Sequence, residues 1–267
     1  MKNQKKISII TFASAALLFT AGSALAANAP AAASLHDAQA EARLKQMSDY
    51  MGGLKSFSAD TYVVDEQIMG DGFKLAALRS GSIKIKRPDK LYISRTGVIR
   101  DQEVFFDGKN LVIYGKNLKM ALTVPVKGDM DAALGTAAET FGKDVQGRDL
   151  ISSDLYSPLM EVITESANLG VVKIGDRNCR QLAFRTDEVD MQLWVAEGDK
   201  PLPCRYTITS KWTHAAPQYT VTFDNWQVNQ KLQDSDFTFT APDGVKKVTV
   251  EAFKNALMQE MNNAGGK

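Results

Sequence analysis

The chain has 267 residues, of which 44% are hydrophobic, 24% charged and 8% aromatic, and this ordinary globular balance excludes a disordered, collagen-like or membrane-bundle protein. Its 32 basic and 31 acidic side chains give a formal charge of +1, so there is no broad positive field to gather nucleic acid, and no nucleic-acid partner is expected.

Residues 1–26 place Lys2, Lys5 and Lys6 ahead of an apolar stretch from Ile7 to Ala21 and then Ser23-Ala24-Leu25-Ala26. That is the order of a secretory signal peptide. The stretch is shorter than the ~20 apolar residues that span a bilayer and contains Thr11 and Ser14, so cleavage after Ala26 is expected rather than an anchor. Ala27-Asn28-Ala29 is the poorer site, because Pro30 follows it. Without the three lysines, 29 basic face 31 acidic side chains, a charge of about −2. No cysteine follows the apolar stretch for lipidation, so a free periplasmic protein that does not span the membrane is expected.

Residues 27–34 read as an Ala/Pro-rich flexible leader. From Leu35, Ala38, Ala42, Leu44, Met47, Met51 and Leu54 recur at helical spacing, and Gly52-Gly53 stops the run. Beyond Phe57 the period shortens to that of strands, over Phe57 to Ile68, Phe73 to Ile85, Lys90 to Thr96 and Ile99 to Phe106. Asp107-Gly108 signals a tight primed hairpin turn before Leu111 to Tyr114, and Leu118 to Val124 adds a strand. Two helices are expected next, over Asp129 to Phe141 and within Asp149 to Ser166. Strand signals return in Gly170–Ile174, Cys179–Arg185, Met191–Ala196, Cys204–Trp212, Gln218–Trp226 and Phe237–Phe239. Residues 251–261 read as a short amphipathic helix carrying Phe253, Leu257 and Met261. The expected organisation is one domain over 35–250 followed by a helix or tail over 251–267. About eleven strands with few helices and no strand–helix alternation predict a mainly β (α+β) chain built on one highly curved antiparallel sheet.

Little in the sequence supports catalysis. His36 and His214 stand apart from any triad-like or HExxH setting, and no G-x-S-x-G, P-loop or G-x-G-x-x-G occurs. Asp65-Glu66 and Asp187-Glu188 are adjacent pairs that a strand would turn to opposite faces or a turn would leave in solvent. No catalytic residue, cofactor or metal site is therefore expected. Cys179 and Cys204 are the only cysteines, and in an exported chain an even count permits a disulfide. A regular meander would set them two strands apart, roughly 9–10 Å, beyond disulfide reach unless a bulge or twist closes the gap.

The informative pattern is apolar alternation. Tyr206, Ile208 and Trp212 share one face, as do Met191, Leu193 and Val195, and Tyr219, Val221 and Phe223. A sheet of about eleven strands is wider than the ~8-stranded closure that side chains alone can fill, so part of its interior needs helices, lipid or water. Phe184, Leu193, Trp194, Tyr206, Ile208, Trp212 and Phe223 are the expected cavity lining.

Arg87-Pro88-Asp89-Lys90-Leu91, Phe105-Phe106-Asp107-Gly108-Lys109, Gln192-Leu193-Trp194-Val195, Pro201-Leu202-Pro203-Cys204-Arg205-Tyr206, Pro217-Gln218-Tyr219 and Phe223-Asp224-Asn225-Trp226 together resemble a family of predicted periplasmic proteins of unassigned function. Its wider relatives are the LolA/LolB-like lipoprotein carriers, and the likeness covers Leu35 to Val250. It implies a half-open β-barrel with helices as a lid over a hydrophobic cavity for acyl chains. In the carriers a lid-holding arginine controls opening. No position here matches that motif, and Arg87 reads as a strand-end residue. The resulting expectation is a non-enzymatic binding protein for a lipid or a lipoprotein acyl chain. The alternative is an envelope scaffold with a filled core and an edge that docks a partner protein.

Overall fold

The computed structural model describes residues 35–98, 101–141 and 148–265, so the expected signal peptide and leader lie outside the described residues. Helix α1 (Ala38–Gly53) begins at Asp37, whose carboxylate accepts from Gln39 N at 2.9 Å, Ala40 N at 3.1 Å and, across the chain, Asn168 N at 3.0 Å. The Ala40 N–H first, and the Asn168 N–H next, hold this carboxyl below its ordinary 3.8. Its contribution is therefore complete above that ordinary value and is lost as pH falls through the lower folded one. Ala40, Leu44, Met47 and Met51 form the buried stripe, and the glycine pair ends the helix. Gly52 is required there, since a Cβ would stand 2.5 Å from the Ser153 carbonyl oxygen.

Six strands follow as a meander: β1 (Ser56–Ile68), β2 (Lys74–Lys86), β3 (Lys90–Gly97), β4 (Asp101–Phe106), β5 (Asn110–Gly115) and β6 (Met120–Pro125). After α2 (Met130–Phe141) and α3 (Tyr156–Met160) come β7 (Glu165–Ile174), β8 (Arg177–Arg185), β9 (Val189–Ala196), β10 (Pro203–Ser210) and β11 (Gln218–Val228), then β12 (Lys246–Val248) and α4 (Val250–Gly265). The strands form one sheet ordered β12-β6-β5-β4-β3-β2-β1-β11-β10-β9-β8-β7. All neighbours are antiparallel except β12 and β6. The edges β12 and β7 do not pair with each other, so this mainly β fold is an open barrel with helices laid on its inner face. The β1–β11 pairing joins the two meanders.

The expected count of about eleven strands becomes twelve. Phe237–Phe239 is not a strand: Asp234–Phe237 is a 3-10 turn, and the last strand is β12. The expected helix over Asp149–Ser166 shrinks to the five residues of α3 and a 3-10 turn at Arg148–Leu150. Ser and Asp side chains there satisfy the backbone locally: Ser152 Oγ donates to Asp149 O at 2.7 Å, and Asp154 Oδ1 accepts from Ser157 N at 3.0 Å. The Asp107-Gly108 hairpin forms, but only Gly108, at φ +89°, lies in the left-handed region. Asp107 Oδ1 accepts from Lys109 N and Asn110 N, replacing the expected primed turn with a longer connection.

Beyond β11 the chain straps the outer face. Lys84 and Lys86 pair with Asp236 and Asp234, both at 2.8 Å, and Phe239 packs against Phe105 and Tyr114 at 5.5 and 5.2 Å between centroids. It then adds β12 to the edge and turns inward, where Phe253 of α4 is fully buried with Ile113 and Leu122.

Cys179 and Cys204 are joined by a disulfide, with their Cα atoms 6.6 Å apart. In β10, Pro203 pairs with Val195 and Arg205 with Trp194, so Cys204 is the bulged residue. That bulge shortens the distance that a regular meander would leave. Replacing both cysteines by serine removes a 25-residue covalent loop and is expected to cost about 3 kcal/mol, read as a drop of roughly 6–12 °C in melting temperature. A second expectation concerns Gly81, where a Cβ would sit 1.9 Å from Ser94 O of the neighbouring strand. Gly81→Ala must push β2 and β3 apart and is expected to cost about 3 kcal/mol in a urea melt, whereas Gly53→Ala, with nothing within 4 Å, should cost far less.

Candidate functional site

The two halves of the inner face are covered differently. Over β7, β8 and β9 lies α1, whose Leu44, Met47 and Met51 fill the space above Leu182, Phe184, Met191 and Leu193. Over β3, β4 and β5 lies α2, and its sheet-facing positions include the small Ala133 and Ala137. Methyl groups there do not reach the sheet, and a cavity of about 100 Å³ remains.

Its floor follows from strand register. Ile93, Val104 and Ile113 stand side by side across β3, β4 and β5, with Leu91 and Leu111 in the adjoining row. Its roof is Ala133, Leu134, Ala137 and Phe141 of α2 with Leu257 of α4. Phe141 meets Phe253 edge-on at 6.1 Å, so the two helices share the roof. Leu91, Leu111 and Ala133 are at most 1% exposed and make the closed end. Half-buried Arg95 and Gln102, paired in register, stand at the open end beside Phe141 and Leu257.

The connection after β2 organises the roof. Arg87 Nη2 donates to Ile151 O at 3.1 Å, Ser152 O at 3.0 Å and, more distantly, Met51 O at 3.5 Å, while its guanidinium lies 6.0 Å from the Phe57 ring centre. Burial lowers its pKa from the ordinary arginine value, with the Asp131 carboxylate opposing that shift. Next to it, Pro88 O accepts from Met130 N at 2.8 Å, anchoring the start of α2, and Asp131 holds Ser153. Arg87 is thus more than a strand-end residue: it ties the end of α1 to the 151–152 loop.

The seven expected lining residues lie elsewhere. Phe184, Leu193, Tyr206 and Phe223 are at most 3% exposed in the solid core on the α1 side, and Ile208 is half-buried against it. Burial, with the Asp149 and Tyr219 charges adding to it, raises the Tyr206 hydroxyl well above its ordinary value. Trp194 takes the face opposite Leu193, under the Arg205 guanidinium at 5.7 Å. Trp212 is 76% exposed, because β10 ends at Ser210 and the alternation stops there; its indole donates to Asp187 O at 2.6 Å. None of the seven borders the cavity. The signal that could have found it is the pair of alanines on the sheet-facing side of α2, small residues where α1 carries Leu and Met. The carboxylates Asp65 and Glu66 face different partners, Arg79 and Lys74 respectively, and make no acid–base pair.

A family model described as "Predicted periplasmic protein (DUF2092)" matches residues 40–251. The chain belongs to that family. No curated protein matches the chain. Among solved structures, this family member is similar to an uncharacterized conserved protein from Thermus thermophilus, at TM-score 0.48 and 10% identity, over 79% of this chain and 99% of that one. It is similar to lipoprotein LppX from Mycobacterium tuberculosis at TM-score 0.46 and 13% identity, over 74% and 98%. It is similar to a LolA superfamily protein from Nitrosomonas europaea at TM-score 0.38 and 11% identity, over 75% and 97%. Among the described residues no helix is long and apolar enough to cross a membrane.

Arg87→Met leaves three carbonyls, those of Ile151, Ser152 and Met51, without this donor and is expected to cost about 2 kcal/mol. Amide exchange should quicken at residues 150–153 and at the end of α1 while β9 and β10 stay protected. Unchanged exchange at 150–153 would show that Arg87 is not the tether.

Proposed function

We propose that the protein is a periplasmic, non-enzymatic binding protein that shelters an acyl chain between α2, α4 and the inner face of β3–β5. The observation that carries this reading is the cavity itself, apolar at its closed end and roofed by a helix that turns two alanines toward it. Transfer of hydrocarbon into such a space contributes ~0.8 kcal/mol per buried CH₂ without polar contacts. The family's description as periplasmic supports the expected export.

Size limits what the closed form holds. An apolar cavity near ~150 Å³ binds benzene. The space here is about 100 Å³, so it takes a short terminal stretch of one chain, and a longer stretch requires the roof to lift. With the start of α2 anchored at Pro88 and the cavity open beside Phe141, such a lift would fall on the far end of α2.

A second reading, an envelope scaffold, draws on the edge strand β7, where Leu169, Val171 and Val172 are 58, 51 and 43% exposed. An open edge with apolar side chains is the form that β-strand addition uses.

One experiment separates them. Native mass spectrometry of protein gently released from the periplasm is expected to show bound hydrocarbon. Ala137→Phe, which fills the cavity from above, should abolish that adduct without lowering the melting temperature. An adduct that persists in Ala137→Phe would remove the cavity from the mechanism and leave the edge-docking reading.

A further inference from the structure

The polar end of the cavity carries information that its apolar body does not. Among the described residues that line it one is charged, Arg95, and none is acidic. Gln102 stands opposite Arg95 in the β3–β4 register, so two long donor-bearing side chains project from the inner face at the open end. The other inner-face arginine of this region, Arg79 on β2, is only 6% exposed and paired with Asp65, and neither of them lines the cavity. Gly81, the register partner of Arg95, adds no side chain between them.

We propose that the ligand is a single-chain amphiphile with an anionic headgroup, its hydrocarbon in the cavity and its carboxylate or phosphate held at the mouth by Arg95, with Gln102 donating beside it. This rests on the cavity reading above and adds the chemistry of the ligand's polar end. Three physical points carry it. The narrow space admits one chain. A cationic headgroup finds no carboxylate among the described lining residues, while an anionic one meets a guanidinium whose geometry suits two oxygens at once. Arg95 is half-buried, so its charge is reachable yet less screened than on an open surface. Arg95 keeps an interaction of its own within the chain, and its five N–H donors leave others for a ligand.

The test is calorimetric titration of the full exported protein with sodium decanoate, decyl phosphate, methyl decanoate and decyltrimethylammonium, each below its aggregation concentration. At least one anion is expected to bind about tenfold more tightly than the neutral ester, with the ammonium weakest. The better of decanoate and decyl phosphate identifies the headgroup. Arg95→Met should bring the anion-to-ester ratio to within about twofold, and Gln102→Glu, which sets a carboxylate at the mouth, should lower it in a protein whose Arg95 is intact. Equal binding of the ester and both anions by the wild type overturns the headgroup inference and leaves the cavity reading standing. A preference that survives Arg95→Met in a folded variant overturns the assignment to Arg95. Binding of none of the four probes overturns both.

Discussion

An open sheet twelve strands wide has more inner face than its own side chains can cover, and everything distinctive here follows from what is laid on it. Two helices of similar role meet that demand unequally. Leu44, Met47 and Met51 of α1 reach the sheet and make a solid core with Phe184 and Tyr206, each at most 2% exposed. Ala133 and Ala137 of α2 stop short over Ile93 and Val104, and α4 adds Phe253 and Leu257 only toward one end. The hollow is therefore a consequence of side-chain length on one helix rather than of the strand count alone.

The second organising element is the short connection from Arg87 to Asp89. One side chain reaches the end of α1 and the 151–152 loop, and the next carbonyl holds the start of α2. A buried guanidinium with carbonyl acceptors on two segments is costly to leave unmet, so it keeps those segments in register with the sheet. Both helices are thereby referred to the same strand end, and Phe141, Leu257 and Arg95 lie toward the opposite end of the cavity.

Much of this was legible in the residues. Strand periodicity located eleven of the twelve strands, and the apolar stripe with its Gly52-Gly53 stop located α1. The resemblance to the periplasmic family pointed to an open barrel with a helical lid. What alternation could not convey is local breakage of the period. Asn225, at φ +50°, and the shifted β1–β11 register bring Trp226 to the inner side with Phe57 and Phe223, at 5.7 and 5.4 Å, although simple counting assigns it to the other face. The bulge at Cys204 likewise closes a gap that regular spacing leaves open. The position of the cavity is not legible for a different reason: strands on both halves of the sheet carry the same pattern, and which half a given helix covers is a long-range property that no window of sequence contains. Aromatic residues drew attention to β8–β11, where they pack solidly, and away from the aliphatic floor of β3–β5.

The junction between the two meanders also sets the order of assembly. Strand β1 acquires β2 at once but waits about 150 residues, from Ile68 to Gln218, for the partner of its other edge. A chain emerging amino end first thus carries its longest ribbon half-satisfied through most of its synthesis, and such long-separation closure is slow and prone to misassociation. Fragments that stop before β11 inherit a bare seam in the middle of the wall rather than at its margin, so the architecture tolerates loss at its ends far better than interruption of its return path.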